Sequence, residues 1–168
     1  MAFEEAEPAF EHTPAADIPS VSVDGAQVRV LIGQAFGQTS PVKTFAPTLY
    51  LDVQLQPGSV FDLPPLAAEL AVYSINKAIE VGGEPVAAHT LVLLSSGQTA
   101  PITSTAGAQL MVLGGDALDG HRLIWWNFVS SRKDRILQAG NDWAAQAMGQ
   151  VPGETDWIPL PERRMTSI

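Results

Sequence analysis

The chain has 168 residues, of which 46% are hydrophobic and only 16% charged, so a packed globular interior is expected rather than a disordered chain. Its formal net charge of −9 argues against a direct nucleic-acid partner, which would need clustered Lys and Arg, and against binding to an anionic membrane. The absence of cysteine excludes disulfides and thiolate metal sites and favours a cytoplasmic location.

Residues 1–20 are acidic and contain prolines, and we predict that they form an N-terminal extended arm or linker. This segment has no basic region of the kind that begins a signal peptide. Phe3 and Phe10 are the aromatic residues that would hold such an arm against a surface. Residues 21–168 are predicted to form a single domain.

Short strands separated by turns follow the arm. The clearest is residues 48–55, where every second residue from Leu49 to Leu55 is apolar, the period-two pattern of a strand with one buried face. Asp24-Gly25 predicts a hairpin turn. The predicted strands are 21–23, 28–32, 48–55, 59–63, 70–75, 78–81, 89–94, 100–103 and 108–113. About ten short strands with regular turns indicate an antiparallel sandwich or barrel.

The stretch from Leu123 to Ile136 holds two of the four tryptophans, and we expect the core to be densest there. It predicts a strand that breaks at Ser130 or Ser131, either of which can serve as the N-cap of a helix. The helix has an apolar stripe that would lie on the barrel, and Gly149 is expected to end it.

Neighbouring residues of a strand point to opposite faces. Trp125 and Asn127 are therefore predicted to point one way, and Trp126 and Phe128 the other. One indole would fill the barrel, while the second would be covered by the helix or by a partner. These four residues are the candidate pocket or interface, with core packing as the simpler interpretation.

Several motifs are similar to those of one known family. The run Ile124-Trp-Trp-Asn-Phe-Val-Ser-Ser131 and the ending Ile158-Pro-Leu-Pro161 resemble the C-terminal domain of the pirin family. Upstream, Pro47-Thr-Leu-Tyr-Leu-Asp52 and Gly114-Gly115 agree, so the resemblance covers nearly the whole chain.

The resemblance implies a mainly β fold, a cupin-type antiparallel β-barrel or jelly-roll sandwich with one C-terminal α-helix packed on it. Pirins carry two such barrels packed against each other, and the first holds an iron through three histidines and a glutamate. Members are described as quercetin dioxygenases and, in eukaryotic nuclei, as transcriptional cofactors. This chain looks like the second barrel alone.

A cupin metal centre needs imidazoles from two strands, in a Gly-x5-His-x-His-x3,4-Glu segment and a later histidine. Here Gly58 is followed at the two histidine positions by Pro64 and Leu66, and Glu69 alone stands near the glutamate position, one residue before it. Residues 96–113 contain no histidine. We therefore expect no metal and no cofactor. Glu69 is a relict ligand or, more simply, a carboxylate near a turn.

Other candidates for chemistry are weak. His12, His89 and His121 are far apart in the sequence and are expected to be surface or capping residues. Asp116 and Asp119 lie in a glycine-rich loop, where a paired-acid role is conceivable but a turn is the simpler interpretation. No catalytic residue is assigned, and whether the chain is an enzyme stays open, with the missing metal ligands arguing against it.

The leading hypothesis is a structural or interaction module without its own metal site. Its exposed apolar face would drive self-association or pairing with a metal-bearing cupin chain, because monomers rarely leave such a face uncovered. One alternative is a subunit of a pirin-like, quercetinase-like dioxygenase. Another is a small-molecule-binding cupin that accepts an apolar ligand at the mouth of its barrel.

Overall fold

The computed structural model describes residues 4–7, 9–149 and 152–162. The chain divides into two compact units. The larger unit comprises Glu7–Ala117, and the smaller comprises Met1–Ala6 together with Leu118–Ile168. Whether the two fold as one domain from residue 21 onward stays a prediction. None of the helices in the described part of the chain is long and apolar enough to cross a membrane.

In the described residues, the secondary structure consists of many short strands, one short 3-10 helix at Ala15–Asp17 and one α-helix, α1, at Lys133–Ala144. The strands are β1 Ser20–Val23, β2 Ala26–Ile32, β3 Gln34–Ala35, β4 Gln38–Thr39, β5 Thr48–Leu55, β6 Val60–Leu63, β7 Glu69–Ser74, β8 Ile79–Val81, β9 Glu84–Val86, β10 Leu91–Leu93, β11 Ala100–Thr103, β12 Ala108–Gly115, β13 Leu123–Trp125 and β14 Phe128–Ser130. The predicted mainly β architecture with one C-terminal helix is confirmed.

Besides the short pair β3-β4, the described residues of the larger unit form two antiparallel sheets. One has six strands in the order β1-β2-β5-β12-β7-β10, and the other has four in the order β6-β11-β8-β9. Both sheets contribute to one hydrophobic core, in which Phe61 is the largest fully buried side chain. Burying apolar surface from both sheets in a single core is the main stabilising contribution in a sandwich of this kind.

Strand β5 lies in the middle of the six-stranded sheet and has the bounds that its sequence predicts. Leu49, Leu51, Val53 and Leu55 are all buried, while the residues between them lie on the opposite face. The predicted alternation is confirmed. It arises because successive side chains of a strand point to opposite faces, and only one face of β5 is turned to the core.

Tight hairpins join several of these strands. Asp24 and Gly25 have positive φ angles of 46° and 73°, and Val23 pairs with Ala26 across them. Positive φ at both central residues matches the right-handed twist of the flanking strands. The turn predicted at Asp24-Gly25 is confirmed. Strand β9, which the sequence did not predict, contains Pro85 and lies at a sheet edge, where a missing N–H is tolerated.

The core is not densest at the tryptophans, as the sequence had suggested. The core cluster is drawn from residues of β2, β3, β5 to β9, β11 and β12, whereas Trp125 and Trp126 are only half-buried and lie in the smaller unit. The expectation failed because aromatic clustering marks apolar packing but does not say which of two units contains it. The predicted packing of the helix on the barrel stays a prediction.

Helix α1 begins and ends at residues other than those predicted. It starts at Lys133, Arg132 occupies the N-cap position, and no side chain caps it. The predicted caps, Ser130 and Ser131, do not occupy the N-cap position. Both hydroxyls donate to the carboxylate of Glu4, and the Ser130 hydroxyl also accepts a hydrogen bond from the N–H of Arg132 at 3.1 Å. The helix ends at Ala144, before the predicted Gly149, with a short turn after it.

Candidate functional site

The segment predicted to match a cupin metal site runs from the end of β6 to the start of β7. Leu66 lies between these strands, is partly buried and packs against the core. Glu69 is the first residue of β7, is exposed, and lies opposite Gly115 of β12. An apolar side chain, that of Leu66, therefore stands where the cupin pattern has its second histidine. The role of Glu69 as a relict ligand stays a prediction.

Potential metal ligands do not gather elsewhere in the part of the chain that the structure describes. Residues 4–7, 9–149 and 152–162 contain no group of three or more His, Asp or Glu that could hold a metal ion. His12, His89 and His121 are all exposed. His89 has a positive φ of 62°, and its backbone N–H donates to the Ser74 carbonyl at 2.7 Å, so it belongs to a turn.

The glycine-rich loop after β12 holds the two aspartates considered for a paired-acid role. Asp119 forms an ion pair with Arg122, whose guanidinium also donates to the Gly120 carbonyl at 2.7 Å. The hydrogen bond from Arg122 lowers the pKa of the Asp119 carboxyl. Asp116 is exposed, and its backbone N–H donates to Pro47. The Asp119 carboxylate is thus engaged in a local turn contact, whereas Asp116 contributes a backbone contact to a distant segment.

The tryptophan segment forms a hairpin rather than one continuous strand. Strands β13 and β14 pair with Trp125 opposite Phe128, so Trp126 and Asn127 form a two-residue turn, with a φ of 52° at Trp126. The predicted division of the side chains between two faces is therefore wrong. Phe128 contacts both indoles, with ring centroids 6.1 Å from Trp125 and 5.5 Å from Trp126.

This hairpin packs against α1 within the smaller unit. The ring of Trp126 meets that of Trp143 edge to face, with centroids 5.3 Å apart. The ring of Trp125 lies over Gly140, where a Cβ atom would be only 3.2 Å from Cζ3. We call Trp125, Trp126, Phe128 and Trp143 the aromatic cluster. Edge-to-face pairs of this kind are favoured by the ring quadrupoles. Whether the hairpin also forms a pocket or interface stays a prediction.

Two glutamates of the N-terminal arm bind the segment that leads into α1, a feature that the sequence analysis missed. The Glu4 carboxylate accepts hydrogen bonds from the Ser130 hydroxyl, the Ser131 hydroxyl at 2.7 Å and the Ser131 N–H at 2.8 Å. Glu5 accepts from Arg132 at 2.8 Å and from Arg135 at 2.9 Å. The available signal was the charge complementarity between an acidic arm and a basic segment.

The hydrogen bonds to Glu4 favour its charged form. Donation by Ser130, then by the hydroxyl and N–H of Ser131, lowers its pKa from 4.5 to about 2.

Further along the arm, Glu11 forms an ion pair with Lys43 at 2.8 Å within the larger unit, which raises the pKa of Lys43. Phe10 is 92% exposed and does not hold the arm as predicted, and Phe3 lies outside the described residues.

Comparison with known proteins agrees with this architecture. The family described as the Pirin C-terminal cupin domain matches residues 50–149. A pirin-like protein of Caulobacter vibrioides is 37% identical over 163 residues, which cover 95% of this chain and 56% of that protein. Human pirin is 28% identical over 140 residues, which cover 79% of this chain and 48% of that protein.

Among solved structures, the chain is similar to a quercetin 2,3-dioxygenase from Acinetobacter baumannii. The two superpose with a TM-score of 0.81 at 26% identity, over 95% of this chain and 55% of that one. The chain thus spans about half the length of the curated relatives that it matches. The cupin fold expected from the sequence motifs is confirmed. With the family match covering more than half of its residues, this chain belongs to the pirin family as a C-terminal cupin domain.

Proposed function

We propose that this chain is a cupin without its own metal site that works as an interaction module. It either self-associates or pairs with a metal-bearing cupin. The observation that carries the proposal is an apolar stripe on the outer face of the six-stranded sheet. A cytoplasmic setting is part of the same proposal, favoured by a sequence without cysteine.

The stripe follows from the register of three neighbouring strands. Leu93 of β10 lies opposite Ala71 of β7, which lies opposite Leu113 of β12. Two residues further along each strand, Leu91 lies opposite Tyr73, and Tyr73 lies opposite Met111. All of these residues alternate with core residues and so lie on the face turned away from the core.

The exposed fractions of the stripe are large for leucine. Leu93 is 80% exposed, Leu91 is 54% exposed and Leu113 is 39% exposed. Single exposed leucines are common, but here two on β10 and one on β12 lie on the same face of the sheet, linked across β7 by Ala71 and Tyr73. An apolar patch of this kind marks an interaction surface. Strand β10 is also the edge of its sheet, so its outer backbone groups have no further strand beside them in that sheet.

Polar groups lie beside the stripe on the same face. Asp52 of β5 lies opposite Met111, and it accepts a hydrogen bond from Gln109 at 3.0 Å. Arg29 of β2 approaches the same carboxylate at 3.8 Å. An apolar centre with a polar border is the usual anatomy of a protein interface. The segment around Leu66, where a cupin metal ligand would be expected, gives independent support to a role other than metal chemistry.

The proposal can be tested by measuring molecular mass. The purified chain is passed over a size-exclusion column with light scattering at several concentrations, alone and mixed with the metal-bearing cupin half of a pirin. We expect a mass that rises with concentration to that of a dimer, or a stoichiometric complex in the mixture. A monomer throughout, with no complex, would contradict the proposal.

The alternative of a dioxygenase subunit is favoured by one comparison, because a structure to which the chain is similar carries the name quercetin 2,3-dioxygenase. In that case the partner would supply the metal, and quercetin would be consumed only by the complex. Metal analysis distinguishes a subunit whose partner supplies the metal from an enzyme that holds its own metal. Stoichiometric iron in the purified chain alone would overturn the assignment of Pro64 and Leu66 as positions without ligands.

A further inference from the structure

A cleft lies beyond the C-terminal end of α1, in the smaller unit. Its volume is about 750 Å³, and its walls include the indoles of Trp143 and Trp157 and the side chains of Met148 and Ile158. Glu154 and Asp156 line it as well. Trp143 also packs in the aromatic cluster. The other residues that line the cleft take part neither in that cluster nor in the apolar stripe.

The Trp143 wall of the cleft is held in place from two sides. Its indole N–H donates to the carbonyl of Ile158 at 2.7 Å. The same ring packs edge to face on Trp126. The second indole, Trp157, is 46% exposed, and Met148 is 47% exposed, so both leave apolar surface accessible to a ligand. One aromatic wall is therefore preorganised, which reduces the ordering cost of binding.

The charge in the cleft is negative. Oε1 of Glu154 accepts hydrogen bonds from the N–H groups of Thr155 at 3.1 Å and Asp156 at 3.2 Å, which fixes that carboxylate. Among the described residues that line the cleft there is no Lys or Arg. The last turn of α1 carries no basic residue, so the negative end of the helix dipole is not offset there by a side chain.

Together these features select one class of ligand. An anion would be repelled by both carboxylates, and a neutral apolar molecule would gain nothing from them. A primary ammonium ion is strongly hydrated and loses water at a cost. A quaternary ammonium group is weakly hydrated, presents methyl groups to indole rings and is attracted by their negative faces.

We propose that this cleft binds a small quaternary ammonium compound, with Trp143 and Trp157 contacting its methyl groups and Glu154 and Asp156 balancing its charge. The inference does not depend on whether the chain pairs with another cupin. Its test is separate as well, since it concerns the smaller unit alone.

The test is a titration of the whole chain with choline, followed by tryptophan fluorescence and by the indole N–H signal of Trp143 in NMR spectra. The matched ligand is the carbon isostere of choline, which has the same shape without the charge. We expect a saturable response to choline and a response at least roughly tenfold weaker to the isostere. Equal responses to both, or no saturable response to choline, would overturn the proposal.

Variants assign the response to the cleft. Trp157→Ala should weaken choline binding roughly tenfold, and Trp157→Phe should keep part of it. The double change Glu154→Gln and Asp156→Asn should also weaken it roughly tenfold. Glu84→Gln removes an exposed charge from the larger unit and should change nothing. Circular dichroism checks that each variant is folded. Unaltered binding in both the Trp157→Ala and the double variant would contradict the proposal.

Discussion

The packing of the tryptophan hairpin on α1 can be tested at Gly140. This glycine is buried inside the helix, and its backbone is one that alanine adopts readily. An added Cβ atom would lie 3.2 Å from Cζ3 and 3.7 Å from Cη2 of Trp125. The first distance is tighter than ordinary van der Waals contact, so the ring would have to move.

Two effects of opposite sign set the result of Gly140→Ala. Alanine is favoured over glycine in a helix interior by about 1 kcal/mol. Overpacking a well-filled contact costs about 1–3 kcal/mol. In the parent we therefore expect a net loss of stability of about 1 kcal/mol. In the Trp125→Ala background the clash is removed, and the same change should stabilise by about 1 kcal/mol. The coupling free energy between the two sites is then about 2 kcal/mol.

Urea unfolding of the parent, the two single variants and the double variant, followed by the helical circular dichroism signal, measures this cycle. Gln138→Gly serves as a control, because Gln138 is exposed on the same helix. It should cost about 0.5 kcal/mol in both backgrounds. If Gly140→Ala had the same effect with and without Trp125, the packing described for the hairpin would be wrong.

Three further predictions concern the core, a turn and the arm. Leu110→Ala empties a fully buried position and should lower the free energy of unfolding by about 3 kcal/mol in urea; a loss below about 1 kcal/mol would place the core elsewhere. Gly33 has a φ of +86°, and a Cβ there would lie 2.3 Å from the Thr48 carbonyl, so Gly33→Ala should cost more than about 1 kcal/mol, whereas a neutral result would contradict the geometry. The pKa of Glu4 is lowered from 4.5 to about 2, so its contribution to stability is fully present above pH 4.5 and is lost as the pH falls toward 2. Glu4→Gln should remove that pH dependence, and an NMR titration of the Glu4 carboxyl with a midpoint near 4.5 would show that the contacts with Ser130 and Ser131 are absent.

The strands of the larger unit could be predicted because their signals are local. In β5, buried leucines and valines alternate with residues that lie on the opposite face of the sheet. The apolar residues therefore recur every two positions, which is the period of a strand. The turn at Asp24-Gly25 was predictable for a similar reason, since both residue types accept positive φ.

The tryptophan hairpin could not be predicted in the same way. Its turn is made by Trp126 and Asn127, and a tryptophan with a positive φ carries no turn signal in the sequence. An aromatic run therefore suggested one strand, and the period-two rule then divided the rings between two faces. The error arose from the local rule itself, because a bulky residue in a left-handed conformation is rare.

The remaining features depend on contacts between distant parts of the sequence. Glu4 accepts a hydrogen bond from Ser131 across 127 positions, so this contact could not be predicted from the local sequence around α1. The apolar stripe was similarly out of reach, because it requires the register of β10, β7 and β12 together. Sequence motifs nevertheless placed the chain in its family, since a family signature depends on residue order and not on these contacts.

The most direct test of the pairing account is a single charged residue in the stripe. Leu93→Glu places a carboxylate at its most exposed leucine, while Val60→Glu makes the same change at a half-exposed position of the four-stranded sheet. Mass by light scattering is measured for both variants and the parent, alone and with the metal-bearing cupin half of a pirin. We predict that the parent and Val60→Glu associate equally, whereas Leu93→Glu stays monomeric and forms no complex. Association of Leu93→Glu equal to that of the parent would contradict the account.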